Sequence, residues 1–216
     1  MKLKTLSLAL MSAAALSFMS CSSEESASTE ETTTEATPLA DGTVSIDTSA
    51  SAVMWKGVMV GMYDHSGTVK LNSGNVIVAD GKITGGTFEV NLNTINPTDE
   101  NYKPEEDRTP EKLVGHLSSD DFFNVAQYPT ATFEITGSEG TTVMGNLTVR
   151  GKTNPEKVEN VVISEENGMV KMTGDLTFDR KKYDVAFTHP MKEMVLSDDV
   201  NLNISLVAPK PVTASN

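Results

Sequence analysis

The chain has 216 residues, with 17 basic and 30 acidic side chains, a formal net charge of −13, three His and one Cys. At roughly 100–200 residues per domain, this allows one sizeable domain or two small ones. The acidity argues against a nucleic-acid partner, which needs a basic stripe. One Cys excludes a disulfide framework, and three scattered His leave little material for a metal cluster. No metal or cofactor is therefore expected.

Taken in chain order, residues 1–20 are an address. Lys2 and Lys4 form a basic start, and Leu6 to Met19 is an apolar stretch too short for a stable membrane span. It ends at Phe18-Met19-Ser20-Cys21. The placement of Cys21 resembles the lipobox of bacterial lipoproteins, in which the Cys is acylated and becomes the mature N-terminus. Cys21 is then the lipid anchor, and several acyl chains would hold the protein firmly where one alone binds only marginally. The alternative is an ordinary signal peptide cut nearby, with Cys21 a free thiol. Removing the two lysines takes the charge from −13 to −15.

Residues 21–40, with the run SSEESASTEETTTEATPLA behind Cys21, have no apolar period. Such a segment cannot bury enough surface to offset its ordering entropy. It is expected to be an acidic tether with an r.m.s. reach of about 25 Å. The acidic residues loosely resemble surface-export signals of some lipoproteins; a merely solvated linker reads the same.

From 41 to 210 the pattern has period two. Phe88, Val90 and Leu92 alternate with polar neighbours, as do Ala131, Phe133 and Ile135. The same holds for Val143, Leu147 and Val149, for Val170, Met172, Leu176 and Phe178, and for Val200, Leu202, Ile204 and Leu206. Each run has one apolar face, as antiparallel strands do. Turn signals are read at Asn72-Ser-Gly, Asp80-Gly81, Gly85-Gly86, Gly137-Ser-Glu-Gly140, Asn154-Pro155 and Asn167-Gly168. Asp80-Gly81 and Asn167-Gly168 favour tight hairpins. The stretch from Asn96 to Asp107 reads as a polar loop. Thr109-Pro-Glu then predicts a short helix over about 110–118, with a capping residue, Pro at the first helical position and an early acid. The rings of Asp120-Asp-Phe-Phe should pack under it. About eight strands, each with one apolar face, predict an all-β, eight-stranded antiparallel barrel with one short helix, because closure covers the faces and removes the edges. Residues 211–216 are a tail.

The run His116-Leu-Ser-Ser-Asp-Asp-Phe-Phe-Asn-Val-Ala-Gln-Tyr-Pro-Thr-Ala-Thr-Phe resembles the hallmark of the YceI-like family. Trp55 with His65-Ser-Gly, the run Gly145-Asn-Leu-Thr-Val-Arg-Gly151, Asp179-Arg180 and Leu196-Ser-Asp-Asp-Val are similar to family motifs as well. The likeness covers roughly residues 43–208. It departs at Tyr183-Asp184-Val185, where the family usually has Gly in the middle. The resemblance implies a lipocalin-like barrel with a helix at one end that binds isoprenoid or other amphiphilic lipid. It also implies a secreted or periplasmic protein with roles in isoprenoid handling and stress. With the signal, it places the chain in the bacterial envelope as a lipoprotein, on the periplasmic face or the cell surface of the outer membrane. Ligand identity and oligomeric state stay open, a dimer included.

The candidate cavity residues are Trp55, Phe88, Val90, Phe133, Ile135, Met172, Phe178, Leu202 and Ile204. A filled core would give the same stripe. Met54, Met59, Met62, Met144, Met169, Met172, Met191 and Met194 would suit an adaptable wall, or be ordinary core and surface residues. Burying a forty-carbon chain from water would yield ~30 kcal/mol gross at ~0.8 per carbon, above the practical ceiling of ~20 for affinity. The competing home is a bilayer, so head-group contacts should choose the ligand. The candidates for those contacts are His65, His116, Asp179 and Arg180, each of which could equally be structural. No nucleophile elbow or phosphate-cradling loop occurs. Asp64 and His65 are adjacent on a strand and would face opposite ways. A binding protein is expected rather than an enzyme. The rivals are a filled interaction barrel and a lipid- or quinone-modifying catalyst.

Overall fold

The computed structural model describes residues 40–210. The signal, Cys21, nearly all of the tether and the tail lie outside the described residues. Nine strands form: β1 (Gly42–Ser45), β2 (Ala52–Met59), β3 (Tyr63–Ala79), β4 (Lys82–Pro97), β5 (Thr130–Glu139), β6 (Thr142–Val149), β7 (Lys152–Glu166), β8 (Met169–Asp179) and β9 (Leu196–Pro209). One α-helix, α1 (Pro110–Ser118), joins them. Each strand is antiparallel to its sequence neighbour from β2 to β9, β9 returns to pair with β2, and the sheet closes. The closed circuit has the eight strands expected. The short β1 adds no ninth position, because it shares an edge of β3 with β2. It pairs with residues 75–78, and β2 pairs with residues 63–69. The break between β1 and β2 is stitched to β9: Asp47 N–H donates to Val207 O at 2.8 Å, and Val207 N–H donates to Ser51 Oγ at 2.9 Å.

The two ends of the barrel differ. At one end Asp80-Gly81, Gly140-Thr141 and Asn167-Gly168 make tight turns. Asp80 and Gly81 have φ of 53° and 69°, and Asn167 and Gly168 have 53° and 75°, the two positive values that fit a right-handed strand twist. This hairpin end is sealed by Val44, Val78, Val170 and Ala208, each at most 3% exposed. At the other end lie α1 and the long connections 98–129 and 180–195. Thr109 accepts the Lys112 N–H, Pro110 opens the helix, and Leu117 is buried. The helix bounds agree with the expected 110–118.

Four of the turn readings are corrected. Asn72-Ser-Gly lies inside β3 as a bulge, and Gly85-Gly86 lies inside β4. Gly86 (φ +143°) is needed there because a Cβ would sit 2.4 Å from Asn75 O. Gly137 is a bulge in β5, and only Gly140 turns the chain. Asn154-Pro155 runs through β7 opposite Leu147 and Asn146. The expected loop from Asn96 begins two residues later, because β4 runs to Pro97 and pairs with Gly67.

Candidate functional site: the barrel cavity and its mouth

Strand alternation turns one row of each strand inward. Towards the hairpin end these rows meet and exclude solvent. Further up they do not meet, and Trp55, Phe88, Val90, Phe133, Val200, Leu202 and Ile204 stay only half-buried although they point inward. The space between them is a cavity of about 440 Å³, within the ~300–1,000 Å³ typical of ligand sites. Its wall is predominantly apolar. All nine expected cavity residues line it: Trp55, Phe88, Val90, Phe133, Ile135, Met172, Phe178, Leu202 and Ile204. Of the eight methionines only Met59 and Met172 reach it. Met54, Met62 and Met191 are exposed at the surface.

Helix α1 closes part of the open side, presenting Leu113, His116 and Leu117 at positions i, i+3 and i+4. His116 packs edge-on against Phe122 (5.3 Å) and Phe187 (4.5 Å). Burial pulls its pKa below the ordinary imidazole value, Asp121 opposing and His189 adding to the shift. The neutral ring is thus favoured among these aromatics. Phe122 and Phe123 pack together beneath the helix at 5.2 Å, as expected. Arg150, in a tight turn at φ +51°, donates to Phe122 O and fixes that loop.

His65 is held more elaborately. Its neighbour Asp64 pairs outside the barrel with Lys56 at 2.7 Å. The ring nitrogen Nδ1 instead meets Asp99 Oδ1 at 3.0 Å. Asp99 also accepts the Ser66 N–H (2.9 Å), the Asn101 N–H (2.9 Å) and the Tyr102 O–H (3.1 Å). Burial pushes the Asp99 carboxyl up, but these hydrogen bonds outweigh it and hold the group below the usual carboxylate range. Burial and the bond to Asp99 push the Tyr102 phenol up, so it remains a donor. The His65 ring is stacked on Tyr102 (4.9 Å) and edge-on to Tyr63 (5.2 Å), and Arg108 lies over Tyr63 at 4.9 Å.

Arg180 lines the cavity yet is 3% exposed, and its guanidinium is largely spent on the fold. Nε donates to Ser197 O, Nη1 to Val185 O and Phe187 O, and Nη2 to Asp198. Asp179 is not in the lining; its carboxylate accepts the Lys181 N–H and caps the 3-10 turn Arg180–Tyr183. His189 borders the cavity, so all three histidines of the chain line it. No group of three or more metal-ligating side chains occurs among the described residues. Nor does any Ser, Thr or Cys side chain among them bond to His65, as an activated nucleophile would.

The YceI-like domain profile matches residues 45–208, which is most of the chain. The chain belongs to the YceI-like family. It is 43% identical over 56 residues to a UPF0312 protein of Yersinia enterocolitica, covering 24% of this chain and 29% of the relative. It is 35% identical over 89 residues to a UPF0312 protein of Shewanella denitrificans, covering 39% and 42%. The matches span less than half the length of these curated relatives. Among solved structures the fold is similar to BcnA of Burkholderia cenocepacia, with a TM-score of 0.59 at 19% identity over 76% of this chain and 99% of that one. It is also similar to a polyisoprenoid binding domain from Saccharophagus degradans, with a TM-score of 0.50 at 14% identity over 77% and 98%.

Within this YceI-like barrel, sequence reasoning missed Asp99, Tyr102, Tyr63, Phe187 and His189. Asp99 sits 34 residues from His65, in a stretch read only as a polar loop, and no local pattern links them. The family run His65-Ser-Gly gains a physical sense. Ser66 supplies a backbone donor to Asp99, and Gly67 lies against the Trp55 indole, where a Cβ would come within 2.7 Å of the ring. The position where the resemblance expects Gly has a backbone reason as well. Asp184 has φ +58° and ends the 3-10 turn in the left-handed region.

Proposed function

We propose that the chain binds a long-chain isoprenoid or other amphiphilic lipid inside the barrel and sequesters or carries it in the bacterial cell envelope. The observation that carries this reading is the ring of inward-facing apolar side chains left half-buried around a cavity of about 440 Å³. A barrel built to be filled would close over such residues as it does at the hairpin end, so the filled interaction barrel is the weaker account. The family and its likeness in fold to a polyisoprenoid binding domain support the lipid class. The lipobox-like Cys21 and the acidic tether support a membrane-anchored protein on either face of the outer membrane. Polar groups gathered at the helix end support a ligand whose tail lies inward and whose head lies at the mouth. The test is mass spectrometry of an organic extract of the natively purified protein. A stoichiometric long-chain lipid is expected. A clean extract, with no uptake of added polyprenyl lipid, would overturn the reading.

A further inference from the structure

We propose that His65 is the polar anchor of the cavity and that it selects amphiphiles whose head group carries a hydroxyl donor. This rests on the lipid-binding reading and narrows it to one class of head. Asp99 accepts four hydrogen bonds: from His65 and the Asn101 N–H on Oδ1, and from the Ser66 N–H and the Tyr102 O–H on Oδ2. An ionised carboxylate only accepts, so Nδ1 of His65 must be the donor and carries the proton. Stacking on Tyr102 and the edge contact with Tyr63 hold the plane of the ring.

In the neutral ring Nε2 is then an acceptor alone. It has no hydrogen-bond partner among the described residues, and no buried side-chain nitrogen or oxygen among them is left unsatisfied. Nε2 is therefore accessible, on a side chain that borders the cavity and is 19% exposed. An acceptor at the edge of an apolar space is satisfied by an O–H. A free alcohol or phenol on an isoprenoid or fatty chain supplies it. An ether, ester or aldehyde of the same chain sets one acceptor against another and leaves Nε2 desolvated without a partner. Two of the other polar groups do not duplicate this role: Arg180 is committed to three carbonyls and Asp198, and Nδ1 of His189 accepts the Met191 N–H, which puts its proton on Nε2. His116 also borders the cavity, but it is packed between Phe122 and Phe187 and lacks the carboxylate that fixes the His65 tautomer.

The experiment uses the full chain carrying Cys21→Ser, at pH 8, above the range in which imidazoles ordinarily titrate. Trp55 is the only Trp and lines the cavity, so its fluorescence reports occupancy directly. A C20 isoprenoid alcohol and its methyl ether are titrated in parallel. The alcohol should bind about tenfold more tightly, the worth of one hydrogen bond. In His65→Phe the alcohol should fall to the affinity of the ether, which stays unchanged. If that variant does not fold, the 15N resonances of the wild-type imidazole replace it. The Nε2 signal should move with the alcohol and stay still with the ether. Equal affinities in the wild type, or a preference that survives His65→Phe, would overturn the inference while leaving lipid binding intact. Binding of neither ligand would overturn both.

Discussion

The hairpin end and the helix end of the barrel are made from the same alternating strands, yet one is capped by a sealed layer and the other leaves the cavity between half-buried walls. At the hairpin end two-residue turns draw the strands together, and small or β-branched residues such as Val44, Val78, Val170 and Ala208 meet with almost no exposed surface. At the helix end two of the four connections are long, the inward residues are larger, and they stand apart around a cavity. There, complete burial is confined to the strap that follows β8, where Tyr183 and Val185 are wholly inaccessible beside Arg180. Stability is therefore expected to reside in the hairpin end and the strap, and ligand capacity in the space between them.

The strap offers the largest test of this division. Arg180→Ala removes the donors to Ser197 O, Val185 O and Phe187 O and leaves Asp198 without its buried partner. A loss of about 3 kcal/mol in urea unfolding is expected from the carbonyls left without donors, since Asp198 is half-exposed and keeps Lys181. A loss near zero would mean the guanidinium does not hold the strap. Next come two matched insertions. Val78→Phe overpacks the sealed end and should cost about 1–3 kcal/mol. Val90→Phe places the same ring into open space, should cost well under that, and should lower lipid uptake. Equal costs would show that the two ends are packed alike.

Acid titration gives a smaller effect. The fold holds His116 below its free value of 6.5 by burial, so the unfolded chain takes up the proton first. Stability from this group is complete above about pH 6.5 and is lost as the pH falls from there toward the folded value. The loss between pH 7 and 5 should be reduced in His116→Gln, measured by urea midpoints at each pH; an unchanged loss would clear His116. The smallest effect is a gain. Asp184→Gly relieves a left-handed residue and should stabilise by about 0.5–1 kcal/mol, offset by a few tenths from the exposed pair with Lys152. A lower thermal midpoint would count against the strain.

The sequence made the scaffold legible because its signals are local. Period-two alternation in β4, β5, β6, β8 and β9 decides which side of each strand is apolar, and Thr109-Pro110 sets the start of α1. Glycine misled where its role was spacing rather than turning. Gly86 makes room for a neighbouring backbone, and Gly74 leaves space for the ring of Phe88. Those needs come from other strands and leave no mark nearby. The cavity stripe was legible from alternation, but whether it was hollow depends on how far apart the walls close. The mouth was least legible. Strand alternation sets Asp64 aside as a partner for His65, but nothing local points to Asp99, which the fold supplies from the loop after β4.

The central claim is that the hollow half of the barrel holds the apolar chain of an amphiphile. The most direct measurement is native mass spectrometry of the purified protein alongside its Val90→Phe variant, with the organic extracts of both analysed in parallel. The account predicts a one-to-one complex with a long-chain lipid in the wild type and a clear reduction of that species in the folded variant. A wild-type protein that carries no lipid and takes up none when offered, or a variant that carries as much as the wild type, would contradict it.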